Sequence, residues 1–318
     1  MPNSPARTIH GYGELSEALR EPLREAFPDR AFQVLTTPEE LADAIGEVEV
    51  LLAMQPPRGL WGGAIRLRMI QITGAGVDSL LPAPDLPERV QIANARGVHA
   101  GQMSEYALAM MLALARRIPR ALSQQRERRW QPFGGRRLEG KTVGILGLGA
   151  IGEAVAQKSK LLGMRVLGTQ REPKPSPYAD QVFSQRDTER VVRESDFLVV
   201  VLPLTDDTRG FLGAELLGAM KPSAVLINMA RGGIVDEAAL LKLLQEGRIE
   251  GAAIDVFEEE PLPASSPLWD APNTILTPHH AGGSRDYLER VGEIFIENIK
   301  RLDRGEFLRN LVDRGRGY

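Results

Sequence analysis

Four short segments carry residues that could do chemistry, and each follows an apolar run. The first is Gly147-Leu148-Gly149-Ala150-Ile151-Gly152, directly after Thr142–Leu146. Gly147 permits a tight turn, and Gly149 removes a side chain where a pyrophosphate must approach the backbone. Gly152 lets the following helix lie close to the strand, whose start then turns free N–H groups toward phosphates. A glycine turn without a ligand is the bland alternative. The strand before it weighs against that alternative, as does the near-helical spacing of Ile151, Ala154, Val155, Lys158 and Leu162 after it. The other three segments are Asn228–Glu237 with Arg231, Asp255–Pro263 with Glu258, Glu259 and Glu260, and Thr277–Gly283 with His279 and His280. A guanidinium offers a planar fork of donors to a carboxylate. An imidazole titrates near neutral pH and can pass a proton. A carboxylate bonded to such a ring orients it and favours its charged form. Together these types could hold a small organic acid and protonate its oxygen.

The strand after the glycine turn should end on the residue that reads an adenosine ribose. It runs Met164-Arg-Val-Leu-Gly-Thr169-Gln170-Arg171. An NAD-binding chain usually places Asp or Glu there to hold both ribose hydroxyls. Here Gln170 offers no carboxylate to repel a 2′-phosphate, and Arg171 offers a guanidinium to hold one. NADP(H) is therefore favoured, with NAD(H) the alternative should Arg171 be an ordinary surface residue.

These segments need a scaffold that brings strand ends together. Strands are expected at Phe32–Leu35, Val48–Ala53, Met69–Thr73 and Val90–Ala93, with helices near Glu14–Phe27 and Pro38–Ile45. A long helix pattern follows from Gln102 to about Arg117, and Arg126–Leu138 reads as a connector. Six more strands are expected at Thr142–Leu146, Arg165–Gly168, Phe197–Leu202, Ala224–Asn228, Ala252–Asp255 and Thr274–Leu276. They are rich in Val, Ile and Leu, as strands buried on both faces are. Arg285–Gly305 reads as an amphipathic helix and Asn310–Tyr318 as a polar strip. Alternating strands and helices predict parallel sheets covered on both faces, and ligands bind at the carboxyl ends of such strands.

Length and composition bound the rest. The chain has 318 residues, 43% hydrophobic and 25% charged, which suffices for two ordinary domains. The net charge is −3, and the densest basic stretch, Arg126–Arg129 with Arg136 and Arg137, is too diluted for a nucleic-acid stripe. Cysteine is absent, which excludes disulfides, thiolate metal sites and cysteine nucleophiles and fits a reducing cytoplasm. No metal site is expected. Met1–His10 lacks the apolar core of a signal peptide. The most apolar run, Tyr106–Ala115, is about half a membrane span.

The motifs, in this order and spacing from about Gly74 to Val312, resemble the D-isomer-specific 2-hydroxyacid dehydrogenase family, which includes glyoxylate/hydroxypyruvate reductases and phosphoglycerate dehydrogenases. The resemblance implies a doubly wound α/β fold with two Rossmann-like or flavodoxin-like parallel-sheet domains and a cleft between them. The substrate domain would be discontinuous, residues 1–98 plus 285–318, and the dinucleotide-binding domain would be 99–284. It also implies that Arg231, Glu260 and His279 are catalytic. His279 follows Thr-Pro as the family pattern requires, although His280 is a rival. Glu260 precedes Pro261, although Glu258 and Glu259 compete with it. Arg231 would hold the substrate carboxylate and keto oxygen, and His279 would protonate that oxygen as hydride reaches C2.

The resemblance implies further contacts. At the cofactor these are Gly147, Leu148, Gly149, Ala150, Ile151 and Gly152 at the phosphates, and Thr169, Gln170 and Arg171 at the adenosine ribose. Leu202, Pro203 and Thr208 lie in the next loop, and Met229, Ala230 and Arg231 beyond it. Asp255, His279 and Ala281 would stand near the nicotinamide, Asp255 accepting from its carboxamide. On the substrate side, Ala75 and Gly76 of Ile72-Thr-Gly-Ala-Gly-Val-Asp78 would bind the carboxylate through a backbone nest, with Arg231 and His279 across from them. Met54-Gln-Pro-Pro would line the C3 side. Trp130 and Trp269 could reach the cleft or a partner, or serve as packing anchors. His10 and His99 have no motif and read as structural.

The expected activity is reduction of glyoxylate, hydroxypyruvate or a related short 2-keto acid to the D-hydroxy acid, in a cytoplasmic homodimer with no nucleic-acid or membrane partner. Sister activities such as phosphite or phosphoglycerate oxidation are the enzymatic alternatives. A dinucleotide-sensing corepressor is the non-enzymatic one, and such a protein would have no reason to keep Arg231, Glu260 and His279 together.

Overall fold

The computed structural model describes residues 8–317; Met1–Arg7, part of the segment read as lacking a signal peptide, and Tyr318 lie outside the described residues. The chain divides into two units, one made of residues up to His99 together with Ser284 onward, the other of Ala100–Gly283.

The first unit contains β1 (Ile9–Tyr12), α1 (Arg20–Ala26), β2 (Phe32–Leu35), α2 (Pro38–Ala44), β3 (Val50–Ala53), β4 (Met69–Ile72) and β5 (Gln91–Ala93). The strands pair in parallel in the order β2-β1-β3-β4-β5, the flavodoxin-like arrangement. β1 is absent from the sequence reading because His10 and Gly11 interrupt its apolar run. It nonetheless sits inside the sheet, with His10 only 3% exposed. The expected helix Glu14–Phe27 is two pieces, a 3-10 turn Glu14–Leu19 and then α1. Pro22 lacks the N–H that a continuous helix would need there. α2 starts on a reciprocal cap: Thr37 accepts from the Glu40 amide and the Glu40 carboxylate accepts from the Thr37 amide. Such a cap is worth about 1 kcal/mol.

The second unit contains α3 (Ala100–Ala115), α4 (Ile118–Arg126), β6 (Thr142–Leu146), α5 (Ala150–Leu161), β7 (Arg165–Gln170), β8 (Gln181–Ser184), α6 (Thr188–Glu194), β9 (Phe197–Val200), α7 (Ala214–Gly218), β10 (Val225–Asn228), α8 (Glu237–Gln245), β11 (Gly251–Ile254) and β12 (Thr274–Leu276). The strands pair in parallel in the order β12-β11-β10-β9-β6-β7-β8. The order reverses between β6 and β9, which makes their carboxyl ends the expected ligand crevice. Alternate residues of each strand enter opposite cores. Phe197 and Val199 pack with Met111, Leu114 and Val155, while Leu198 and Val200 pack with Val191, Leu217 and Leu240. Burial on both faces is what made these strands read as apolar runs. Six were expected and seven are present. β8 escaped because it is an edge strand with only two apolar residues, Val182 and Phe183. α4 also escaped, within a stretch dominated by Arg and Gln.

The chain then returns to the first unit as α9 (Tyr287–Arg304), which ends on Gly305 in the left-handed region and buries Val291, Phe295 and Ile299. The strip read as merely polar is pinned: Leu311 bridges Ala93, the Val312 amide donates to Ile92, and Arg314 donates to the carbonyls of Leu86 and Pro87.

Candidate active site

The glycine turn is built as its spacing predicts. Gly147 has φ +104°, and a Cβ there would lie 2.9 Å from the Val201 carbonyl oxygen, so the backbone after β6 passes close to the end of β9 at a residue that must be glycine. A Cβ on Gly152 would lie 2.2 Å from the Gly147 carbonyl oxygen, which is how α5 comes to rest on the turn. A Cβ on Gly149 would meet nothing within 4 Å. The first i to i−4 bond of α5 runs from Glu153 to Gly149, so the amides of Ala150, Ile151 and Gly152 precede the helical ladder.

β10, β11 and β12 are neighbours in register, Asn228 against Ile254 and Ile254 against Leu276. Their carboxyl ends therefore stand level, and from them emerge Arg231, Asp255 and the Thr277–Ala281 turn. Asp255 is 1% exposed and organises that turn. Its Oδ1 accepts from Thr277 Oγ1 at 2.6 Å and from the His280 amide at 2.9 Å, and its Oδ2 accepts from the Ala281 amide at 2.9 Å. The Thr277 hydroxyl proton goes to the carboxylate, so Tyr106 must donate in the 2.7 Å contact between its hydroxyl and Thr277 Oγ1. Burial pushes the Tyr106 phenol well above its ordinary value, which keeps it a donor.

His279 is thereby held at φ 49°, in the left-handed region, with its amide donating to the Asp255 carbonyl at 2.9 Å. Its Nδ1 lies 2.7 Å from Glu260 Oε2. The other Glu260 oxygen accepts from the Phe257 amide at 2.9 Å, which folds the loop back on itself. Both side chains keep solvent access, 45% for His279 and 35% for Glu260. Of the rivals, the His280 ring meets Tyr106 edge-on at 5.7 Å, and it is Glu260 whose carboxylate bonds the His279 ring. Arg231 Nη1 donates to the Ala230 carbonyl at 2.8 Å. Its neighbour Gly232 packs directly on the loop that carries Glu260, for a Cβ there would lie 1.8 Å from the Phe257 carbonyl oxygen.

Several residues expected at the cofactor have side chains engaged inside the unit. Leu148 packs beneath Gly168, Leu202 lies in the core, and Met229 is 1% exposed. Thr169 Oγ1 accepts from the Gly147 amide at 3.3 Å, and the Ala281 side chain is buried. Thr208 Oγ1 donates to the Pro203 carbonyl at 2.6 Å and accepts from the Thr205 amide at 2.8 Å, fixing the 203–208 loop. Their side chains are packed within the unit. Gln170 also acts as a brace: its amide donates to Leu148 O at 2.8 Å and its oxygen accepts from the Lys174 amide at 2.9 Å. Arg171 stands beside it, paired with Asp207 at 2.8 Å.

Glu237 is a neighbour that the motif reading passed over. Its Oε1 accepts from the Glu258 amide at 2.6 Å. Burial, then the Glu258 and Glu260 carboxylates, push its carboxyl above the ordinary value, partly offset by that amide. The signal in the sequence was the adjacent acidic pair Asp236-Glu237, of which Asp236 is simply the α8 N-cap, accepting from Ala239.

In the first unit, the Thr73–Asp78 loop has its carbonyls engaged. Tyr287 donates to Thr73 O at 2.7 Å, the Ala95 amide to Gly74 O at 2.9 Å, and Asn94 to Ala75 O at 2.8 Å. Ser79 ties the Met54 carbonyl to the same loop, and His99 stacks on Tyr287.

Residues 108–281 match the model of the D-isomer specific 2-hydroxyacid dehydrogenase NAD binding domain, more than half of the chain. The chain belongs to the D-isomer specific 2-hydroxyacid dehydrogenase family. It is 33% identical to the glyoxylate reductase of Pyrococcus furiosus, over 87% of this chain and 85% of the relative. It is 35% identical to the D-3-phosphoglycerate dehydrogenase of Methanocaldococcus jannaschii, over 87% of this chain but only 54% of that longer relative. A solved NADPH-dependent glyoxylate/hydroxypyruvate reductase from Sinorhizobium meliloti, in complex with NADP and sulfate, superposes with a TM-score of 0.88 at 29% identity, covering 98% of this chain and 100% of that one. The protein is thus an NAD(P)-dependent 2-hydroxyacid dehydrogenase. The residues fit the dinucleotide of such an enzyme, since the open space over Gly149 and the amides opening α5 make the cradle that a pyrophosphate needs. Among the described residues no helix is long and apolar enough to cross a membrane, and no group of three or more His, Asp or Glu could hold a metal.

Proposed function

We propose that this dehydrogenase reduces glyoxylate, hydroxypyruvate or a closely related short 2-keto acid at C2, using NADPH in preference to NADH. The observation that carries the reading is the His279–Glu260 pair, solvent-accessible and 2.7 Å apart, at the carboxyl ends of the same parallel sheet whose β6 leads into the glycine turn. When bound, the reduced nicotinamide supplies the hydride. His279 gives its Nε2 proton to the keto oxygen as the carbonyl π bond breaks, and is reprotonated from solvent. Glu260 holds the ring through Nδ1, which leaves Nε2 as the nitrogen that exchanges the proton. Arg231 offers its fork to the substrate carboxylate and keto oxygen. The family resemblance gives Ala75 and Gly76 a substrate-binding role through their backbone amides, and we retain it. Asp255 has about four acceptor positions and three are used inside the chain, which leaves one on Oδ2 for the carboxamide.

The NADPH preference is supported by Gln170 and Arg171, and by the NADP held in the Sinorhizobium meliloti structure. A homodimer through the cofactor-binding unit is supported by Trp130, 96% exposed, with Ile118 and Leu122 also exposed on α4. We place the enzyme in the cytoplasm, with a supply of reduced dinucleotide, and divide its labour as the sequence suggests, substrate binding in the discontinuous unit and dinucleotide binding in the other. The test is absorbance of the reduced nicotinamide band with NADPH and NADH against a panel of 2-keto acids, including phosphohydroxypyruvate. Turnover of glyoxylate or hydroxypyruvate with NADPH is expected. No turnover with any member, or a clear preference for NADH, overturns the corresponding part.

A further inference from the structure

The loop carrying Glu260 is fastened at two points that lie outside the Arg231, Glu260 and His279 trio. The first is steric. Gly232 lies so close to the Phe257–Glu258 peptide that any side chain would collide with backbone, 1.8 Å from Phe257 O and 2.7 Å from Glu258 N. The second is polar. Glu237, the first residue of α8, reaches across to accept the Glu258 amide at 2.6 Å. One residue earlier in the loop, the Phe257 amide is taken by Glu260 itself. Two consecutive amides are thus held by two glutamates, one outside the loop and one at its end. Glu260 can keep Oε2 on His279 only while the loop stays folded in this way.

We infer that Glu237 is a positioning residue that acts through Glu260: by anchoring the Glu258 amide to α8 it holds the Glu260 carboxylate at the His279 ring. This rests on the proposed function for its catalytic consequence and on the hydrogen-bond geometry for its structural part. Two further features agree with it. Glu237 sits half-buried beside two other carboxylates, an electrostatically unfavourable place for a residue whose only use would be solubility. The cap of α8 is already supplied by Asp236, so Glu237 is not needed to start the helix. The anchor also ties α8, which follows the turn carrying Arg231, to the β11 loop, which carries Glu260.

The experiment is a double-mutant cycle on the full chain. Glu237→Ala should lower kcat for keto-acid reduction about tenfold or more, since a misplacement of order 1 Å can cost about a hundredfold, while KM for the dinucleotide stays within about twofold. Glu237→Gln keeps an oxygen for the Glu258 amide and should retain most of the activity. In a Glu260→Gln background, Glu237→Ala should cost little more, because the group it positions is already gone. Fold-losses that multiply, or a Glu237→Ala enzyme with wild-type kcat, overturn the inference. Should Glu237→Ala fail to fold, Glu237→Asp carries the same test, because it withdraws the carboxylate by one methylene. Amide exchange of Glu258, read on the ligand-free protein, separates this inference from the functional reading. Faster exchange in Glu237→Ala supports the anchor even if the wild type proves inactive on every keto acid, and unchanged exchange sinks it.

Discussion

Nδ1 of His279 lies 2.7 Å from Oε2 of Glu260. A carboxylate only accepts, so Nδ1 carries a proton in this contact and Nε2 is the nitrogen that gains and loses one. The pair comes from two loops 19 residues apart in the chain, and the buried Asp255 carboxylate holds the His279 turn in place.

Glu260→Gln replaces the carboxylate that meets His279 Nδ1 by an amide. The ring loses the partner that fixes its orientation and tautomer, so kcat for keto-acid reduction should fall by up to about a hundredfold, while KM for the dinucleotide stays near wild type. An unchanged kcat disconnects Glu260 from the proton transfer.

His279→Asn keeps polarity and approximate size but cannot carry a proton at neutral pH. Turnover should drop by about 10²–10⁴-fold, while dinucleotide binding followed by fluorescence stays near wild type. Persisting turnover would transfer the acid role to another group, with His280 the first to try.

Arg171 stands at the end of β7, paired with the exposed Asp207 at 2.8 Å. If it binds the 2′-phosphate, Arg171→Ala should raise KM for NADPH about 10–100-fold, the worth of a charged hydrogen bond, and leave KM for NADH almost unchanged. Equal effects on both cofactors would make Arg171 a surface residue with no part in discrimination.

His10 makes the stability of the first unit depend on pH. Burial at 3% exposure holds its ring below the ordinary value of 6.5. The native ring stays neutral where the unfolded one takes up a proton. Its contribution is therefore complete above about 6.5 and is lost as pH falls through that value toward the lower native one, with a slope of at most about 1.4 kcal/mol per pH unit. Melting temperatures of wild type and His10→Gln from about pH 7.5 to 5.5 should diverge, the wild type declining more steeply. Parallel curves would mean that another group titrates.

The legible parts of this protein were those whose physics is local. The turn at Gly147–Gly152 depends on backbone space and on a strand and helix immediately beside it. β6, β9, β10 and β11 are buried on both faces, and Val, Ile and Leu record that burial directly. β1 and β8 left weaker traces, because one carries His10 and Gly11 inside the sheet and the other lies at an edge with no fully buried residue. The residue types at 231, 260 and 279 announced acid binding and proton transfer, while the family pattern chose among neighbouring histidines and glutamates.

By itself, the amino-acid sequence determined two parallel α/β sheets, a phosphate-binding turn, and a guanidinium, an imidazole and carboxylates at strand ends. Those follow from periodicity and side-chain chemistry, which act over a few residues. Only the tertiary structure decided that Nδ1 of His279 meets Oε2 of Glu260, that Asp255 braces the turn behind them, that Thr169 and Thr208 are bonded inside the unit, and that Glu237 reaches the loop of Glu260. Those pairings depend on distances of about 3 Å between segments remote in sequence. Such distances are fixed by strand register and by how tightly glycines let backbones approach, and neither is written in any one stretch of residues.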